Sequence, residues 1–145
     1  MKHLCSVQFL HAFQNGNSAN LVNLSLAGCT CIDDEMASVI AQLFPQIHVL
    51  SLAFVDGITD NGIEIILKNC SSLHYLDLFA MRDISGSSFT CIPQYAHNLN
   101  YLHIKDVYDI EREEYLNALK SNSKVQVHRT PTWESRDTVK CKLLQ

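Results

Sequence analysis

Leucine and isoleucine recur along this chain at a fixed spacing, and that spacing predicts the fold. A first column of apolar residues, each separated from the next by 26 positions, consists of Leu24, Leu50, Leu76 and Leu102. Two further columns in the same phase hold Leu26, Leu52, Leu78 and Ile104, and Leu21, Ile47, Leu73 and Leu99. A constant period of this length is typical of solenoids, in which each unit buries its apolar side against its neighbours.

Within each unit the pattern predicts a strand, a turn and a helix. Apolar and polar residues alternate through Leu24, Ser25 and Leu26, as expected for a strand with one buried face. Apolar residues at helical spacing follow downstream in each unit. Good helix N-caps precede three of the predicted helices, namely Asp33, Thr59 and Ser85. The predicted fold class is α/β, a leucine-rich-repeat solenoid with a parallel inner sheet and outer helices.

The period divides the chain into three parts. Residues 1–20 are predicted to be a degenerate N-terminal capping segment, in which Leu10 and Phe13 belong to an irregular leading unit. Residues 21–130 hold the repeats of 26 residues and a closing edge strand around Val125 to Val127. Residues 131–145 form a C-terminal tail that contains Trp133 and has no period.

Composition narrows the class of partner and the compartment. A formal net charge of -4 argues against nucleic acid, whose phosphates are bound by basic surfaces. No apolar stretch approaches the roughly 18 residues that cross a bilayer, and the first residues do not resemble a signal peptide. The six cysteines are scattered among apolar positions, which suits reduced thiols. We therefore expect a cytoplasmic or nuclear protein that needs no disulfides and binds neither membranes nor nucleic acid.

Several residues that invite a chemical role are better explained without one. Ser51, Asp77 and His103 resemble a catalytic triad, but the predicted register puts the carboxylate between the other two, whereas a triad needs the histidine there. A solvated pair of Asp77 and His103 is expected instead. His48 and His74 share a column and are predicted to lie partly exposed beside the sheet, too few for a closed metal site. We predict a protein that is not an enzyme and has no cofactor.

The cysteines predict no metal site or lipid anchor either. Cys29 and Cys31 form a Cys-x-Cys pair, but no second pair or histidine cluster lies at zinc-finger spacing. Cys29 is expected in the core, and Cys31 is expected in a loop as an exposed thiol. Cys141 is one residue too far from the end of the chain for a prenylation box.

The face of the predicted sheet opposite the leucines carries the candidate binding site. Its first two strands offer small residues such as Ser25 and Ala53, whereas the next two gather large and charged side chains. These candidates are Tyr75, Asp77, Phe79, Tyr101, His103 and Lys105. Large rings outside a core are the residues that binding hot spots use. We predict that this part of the concave sheet binds a peptide or protein. The alternative is that the rings cover the sheet or pack under the tail near Trp133.

The repeats resemble the cysteine-containing leucine-rich repeats of F-box and leucine-rich-repeat proteins. The resemblance rests on Leu73-His-Tyr-Leu76-Asp-Leu78, on Ile58-Thr59-Asp60-Asn61-Gly62-Ile63 and on Cys70-Ser-Ser-Leu73, and it covers about residues 21–127. In the ligase adaptors of that family the repeats hold a substrate while an F-box binds the Skp1 adaptor. Nothing in residues 1–20 resembles an F-box.

The resemblance implies a function in protein recognition. The chain is expected to recognise a substrate, or to act as an adaptor, for a ubiquitin ligase of the SCF type, binding Skp1 and cullin only if an F-box is supplied elsewhere. The alternative is a structural scaffold subunit of a large assembly such as the axonemal nexin-dynein regulatory complex. Residues 123–126 with Pro131 and Trp133 resemble the end of an F-box repeat protein of that complex, which would make the location axonemal.

Overall fold

A computed structural model of the chain describes residues 20–107, 113–121 and 124–128. These residues form an α/β structure with a five-stranded parallel sheet in the order β1-β2-β3-β4-β5. The strands are β1 (Asn23–Ser25), β2 (Val49–Ser51), β3 (Tyr75–Asp77), β4 (Tyr101–His103) and β5 (Gln126–His128). The predictions for residues 1–19 and for the tail with Trp133 lie outside the described residues. Within the described residues, no helix is both apolar and long enough to cross a membrane.

The register of the sheet follows the spacing of the leucines. Leu24 lies opposite Leu50, Leu50 opposite Leu76, and Leu76 opposite Leu102, all on parallel strands. The predicted placement of these four residues, which we call the leucine column, is confirmed. Val127 continues the column on β5, and the predicted edge strand is present one residue later than expected.

Helices connect the strands, and the first two begin where the sequence supplies a cap. The helices are α1 (Asp34–Leu43), α2 (Asp60–Asn69), α3 (Ile92–Tyr95) and α4 (Glu113–Ser121), and a 3-10 helix, Ser87–Cys91, precedes α3. The Asp33 carboxylate accepts a hydrogen bond from the Met36 amide at 3.1 Å. The Thr59 hydroxyl accepts one from the Asn61 amide at 3.2 Å. Both predicted caps are confirmed, because each satisfies an amide that the first helical turn leaves free.

The third predicted cap is wrong. The 3-10 helix has Gly86 as its N-cap and receives no side-chain cap. The following helix, α3, has only four residues and carries Pro93 in its first turn. Glycine and serine favour turns, and proline is tolerated only at the start of a helix, so this connection is tighter than the two before it. Ser85 donates hydrogen bonds to Asp60 instead of capping a helix.

The core lies between the leucine side of the sheet and the helices. Three members of the leucine column are fully buried in one apolar cluster with Ile40 of α1 and Ile66 of α2. Each fully buried side chain of this size contributes about 1.5–3 kcal/mol relative to exposure. The fourth member, Leu24 on β1, is only partly buried. Burial along the column therefore increases from the first strand toward the middle of the sheet.

A residue with a left-handed backbone lies three positions after each of the first four strands. These residues form a column of their own, with φ of 74° at Gly28, 59° at Phe54, 54° at Ala80 and 55° at Asp106. The amides of the first three each donate to a carbonyl oxygen of the neighbouring segment at 2.8 or 2.9 Å. The left-handed turns therefore extend the pairing between neighbours past the ends of the strands.

Two aspartates at the start of helices hold the next connection in place. Asp34, the first residue of α1, accepts hydrogen bonds from the amide and the hydroxyl of Thr59 at 2.8 and 2.7 Å. Asp60, the first residue of α2, accepts five, at distances from 2.6 to 3.0 Å. Their donors are the amides of Ser85, Gly86 and Ser88 and the hydroxyls of the two serines. Each carboxylate therefore ties its helix to the segment that opens the next one.

The cysteines follow the prediction only in part. Cys70 and Cys91 are buried free thiols, and burial raises the pKa of Cys70 to about 11. Burial is also the main cause that raises the pKa of Cys91. Cys29 is a free thiol packed against the core. Cys31 is in a disulfide bond, so the prediction of a free, reduced thiol there is wrong.

Candidate functional site

The predicted binding residues lie together on two neighbouring segments of the sheet. Tyr75 pairs with Tyr101, and Asp77 pairs with His103, across β3 and β4. The other two predicted residues follow in the turns beyond those strands. Side chains alternate along a strand, so the four strand residues point away from the side that carries the leucine column. We call the six residues together the candidate face; its members are Tyr75, Asp77, Phe79, Tyr101, His103 and Lys105.

Asp77 is at the centre of the candidate face and is buried. Its carboxylate accepts hydrogen bonds from the Ser51 hydroxyl at 2.9 Å and from the Phe79 amide at 3.1 Å. His103 Nδ1 lies 3.0 Å from Asp77 Oδ1. The prediction of a solvated Asp77 and His103 pair is wrong, because only 6% of Asp77 is exposed. A buried carboxylate that accepts hydrogen bonds from three groups fixes the positions of those groups, and little of its own surface is accessible to a partner.

The order of Ser51, Asp77 and His103 agrees with the prediction from the register. The carboxylate lies between the hydroxyl and the imidazole and interacts with both. The imidazole is therefore not where a triad histidine must be to remove the proton of a serine. On its other side, His103 Nε2 is buried and has no hydrogen-bond partner among the described residues.

Phe79 forms the base of an aromatic cluster. Its ring stacks on His103 with centroids 5.4 Å apart and an interplanar angle of 14°. The Phe54 ring meets it edge-on, with centroids 4.8 Å apart. Lys105 Nζ lies 5.1 Å from the centroid of the same ring, within the range of a cation–π contact. With these groups packed against it, Phe79 is only 8% exposed, so it supports its neighbours more than it faces solvent.

Phe54 belongs to this surface but was not among the predicted residues. It follows β2 in a left-handed turn, and 53% of it is exposed. The sequence predicts small residues such as Ser25 and Ala53 on the first two segments, and Phe54 is the residue that directly follows Ala53. The available signal was an apolar ring at the position that Gly28 and Ala80 occupy in the neighbouring turns. Its exposure adds a third large ring to those of Tyr75 and Tyr101.

The two tyrosines lie side by side at the opposite end of the strands. Their ring centroids are 6.2 Å apart, with the planes tilted by 37°. Both residues are half-buried. Burial, helped by the negative charge of Asp77, raises the pKa of Tyr75, so its hydroxyl keeps its proton and can donate a hydrogen bond. The pair therefore offers an apolar surface with polar ends.

Lys105 is held by two contacts. Besides its position over the Phe79 ring, its Nζ lies 3.3 Å from Asp106 Oδ2. The Asp106 side chain is half exposed, whereas that of Lys105 is largely buried. Lys105 therefore contributes a positive charge at the end of the candidate face without projecting freely into solvent.

His48 and His74, which share a column, lie close together, and both are exposed, whereas the sequence predicts partial exposure. Their ring centroids are 5.0 Å apart with an interplanar angle of 61°. Within the described part of the chain, no group of three or more histidine, cysteine or acidic residues is arranged to hold a metal ion. Neither histidine is one of the six residues of the candidate face, although His74 directly precedes Tyr75.

No protein-family model matches the chain and no curated protein matches its sequence, so these comparisons assign it to no family.

Proposed function

We propose that the chain is a leucine-rich-repeat solenoid that binds a protein partner through the candidate face, and that it recognises substrates for, or acts as an adaptor of, a ubiquitin ligase of the SCF type. The observation that carries the binding proposal is the set of three large rings, Phe54, Tyr75 and Tyr101, on the side of the sheet away from the leucine column. Such rings bury much area at a small cost in side-chain entropy.

The residues of the candidate face have different roles in this proposal. Tyr75 and Tyr101, together with Phe54, provide the surface that contacts the partner. Asp77 and Phe79 are buried and fix the positions of the side chains around them. A surface whose side chains are already fixed loses less entropy on binding. We therefore expect substitutions of the three exposed or half-buried rings to act on affinity and substitutions of the buried pair to act on stability.

The partner is expected to be recognised by side chains. The backbone of β3 is already hydrogen-bonded to strands on both sides, so it has no free edge to which a partner could add a strand. A partner segment that lies across the sheet would place apolar side chains against the tyrosines.

A quantitative capture experiment tests the proposal. The wild-type chain and the combined variant Tyr75→Ala with Tyr101→Ala are used to capture partners from cells, and bound proteins are quantified by mass spectrometry. Loss of hot-spot rings costs about 2 kcal/mol or more, so the affinity for the specific partner should fall about thirtyfold or more, and its capture should fall with it. Tyr95→Ala is the matched control, because Tyr95 is also half-buried but lies on α3 against Lys68.

The identity of the captured proteins decides the second half of the proposal. Recovery of Skp1 and cullin, or of a substrate that is stabilised when the ligase is blocked, supports the ligase function. Recovery of one stoichiometric assembly without them supports a scaffold subunit instead. If the combined variant folds, as thermal unfolding will show, and captures the same proteins in the same amounts as the wild type, the candidate face is not the binding surface.

A further inference from the structure

A second candidate site lies at the start of two neighbouring strands. His48 immediately precedes β2 and His74 immediately precedes β3. The His74 amide donates to His48 O at 2.8 Å, so the two backbones are fixed beside each other. Both side chains are exposed, and their ring centroids are 5.0 Å apart. The sheet therefore holds two imidazoles together on the surface, where an ion can reach them without any unfolding.

The hydrogen bonding of His74 fixes which ring nitrogen is available. His74 Nδ1 lies 2.6 Å from the carbonyl oxygen of Ser72. A carbonyl oxygen can only accept, so Nδ1 carries the hydrogen and donates it. In the neutral ring this leaves the lone pair on Nε2. Histidines that bind metal ions commonly donate their second N–H to a backbone carbonyl in this way, which orients the ring and raises its basicity.

The separation of the rings fits a shared ion. Two imidazoles bound to one tetrahedral ion at a metal–nitrogen distance of about 2.0 Å have their ring centroids about 5 Å apart. The observed 5.0 Å agrees with this value. Imidazole nitrogen is a preferred ligand of Zn²⁺, Ni²⁺ and Cu²⁺ and a poor one for Mg²⁺ or Ca²⁺.

We propose that His48 and His74 bind one divalent transition-metal ion of the Zn²⁺, Ni²⁺ or Cu²⁺ class through one nitrogen each. Two protein ligands leave further coordination positions, which water fills in the isolated chain and which a donor from another molecule can take. The described residues contribute no third histidine, cysteine or acidic ligand to a metal-binding group. The site is therefore open, and it binds more weakly than a closed structural site.

Calorimetric titration of the full chain with ZnCl₂, and separately with NiCl₂, tests the proposal. His48→Ala and His74→Ala should each weaken binding about tenfold or more, because one ligand alone loses the advantage of holding the ion at two points. His97→Ala is the matched control, since His97 is exposed and lies on a different segment, and it should bind like the wild type. Binding should also weaken in acid, where protons compete for the ring nitrogens.

A measurement on the unmodified chain keeps the test independent of the variants. Substoichiometric Ni²⁺ should broaden the NMR signals of the His48 and His74 rings before those of the other histidines. Broadening that begins at other rings, or unchanged affinity in both folded alanine variants, would overturn the proposal. MgCl₂ serves as the negative control for general attraction of cations to this acidic chain and should leave both rings unaffected.

Discussion

Asp60 shows how much one carboxylate can organise in this protein. It opens α2 and accepts hydrogen bonds from three amides and two hydroxyls of the segment that leads to the 3-10 helix. No side chain caps that 3-10 helix, so the Asp60 carboxylate supplies acceptors that a local cap would otherwise provide. We infer that Asp60, and not a local cap, determines the position of this segment.

Replacement of Asp60 by asparagine should destabilise the fold by about 1–2 kcal/mol, because the new amide group places N–H donors against the donors of Ser85 or Ser88. Chemical denaturation at neutral pH measures the change in the free energy of unfolding. Asp56→Asn is a matched control, since Asp56 is exposed in the loop before α2, and its effect should be within about 0.5 kcal/mol. Equal effects of the two substitutions would contradict the role of Asp60.

The contribution of Asp60 should also depend on pH. Two opposing effects act on the pKa of Asp60. Partial burial acts to raise this pKa, whereas the hydrogen bonds from Ser88 and Ser85 act to lower it. The hydrogen bonds prevail, so the pKa in the folded protein is lower than the usual 3.8. Such a group stabilises the fold above its unfolded pKa and loses that effect as the pH falls through its folded pKa. The difference between wild type and Asp60→Asn should therefore persist down to about pH 4 and shrink below it. Urea denaturation over this range measures the difference, which should not grow in acid.

The roles of single residues were only partly predictable. Asp34 and Asp60 share a column, which was a visible signal, but the hydrogen bonds that they accept come from residues about one period later. Their partners could be identified only once the connections were folded. In the same way, the position of Asp77 followed from the spacing. Its burial did not, because that depends on the side chains of Ser51 and His103 that pack against it.

At the level of elements, the turns after the strands share a backbone conformation and differ in residue type. Glycine reaches the left-handed region without strain, whereas for a residue with a Cβ it costs about 1–2 kcal/mol. Gly28 is therefore suited to its turn, while Phe54 and Ala80 are held in theirs by the hydrogen bonds to the neighbouring segment. The column of left-handed residues could not be predicted from the sequence, because phenylalanine and alanine are not typical of left-handed turns.

Exchanging glycine and alanine between these turns should change stability in opposite directions. Gly28→Ala should destabilise by about 1 kcal/mol through the backbone alone, because an added Cβ at Gly28 meets no atom within 4 Å. Ala80→Gly should stabilise by a similar amount, since it removes the left-handed cost of the Cβ.

The control is Ala27→Gly, in the same turn as Gly28 but without a positive φ, and it should destabilise slightly. Thermal or chemical denaturation of the three variants measures these signs. Destabilisation by Ala80→Gly would contradict the explanation.

How well each element could be predicted depends on how regular its signals are. The strands follow directly from the leucine column, and α1 and α2 follow from Asp33 and Thr59, which cap them. The third connection keeps the same apolar positions, but Gly86 and Pro93 convert it to a 3-10 helix followed by one short helical turn. The spacing of the apolar residues predicted which side chains of this connection are buried, but it did not predict the type or length of its helices.

For the molecule as a whole, the leucine column runs through one core from an edge to the interior. Leu76→Ala, in the fully buried centre, should cost about 3–4 kcal/mol, near the middle of the range for such cavities. Leu24→Ala, on partly buried β1, should cost about half as much. Chemical denaturation of both variants compares the losses. Because the core is a single cluster, each variant should still unfold in one transition, and equal losses would contradict the burial gradient along the sheet.

The strand order has a mechanical consequence. Every described strand is paired only with the strands before and after it in sequence, so none bridges distant parts of the sheet. Tension applied along the chain would peel an edge strand from one neighbour and leave the remaining pairs intact. Each such step would release about 26 residues, a length that spans about 90 Å when extended. Under load the sheet would therefore lose one strand at a time, and the chain would lengthen in nearly equal increments.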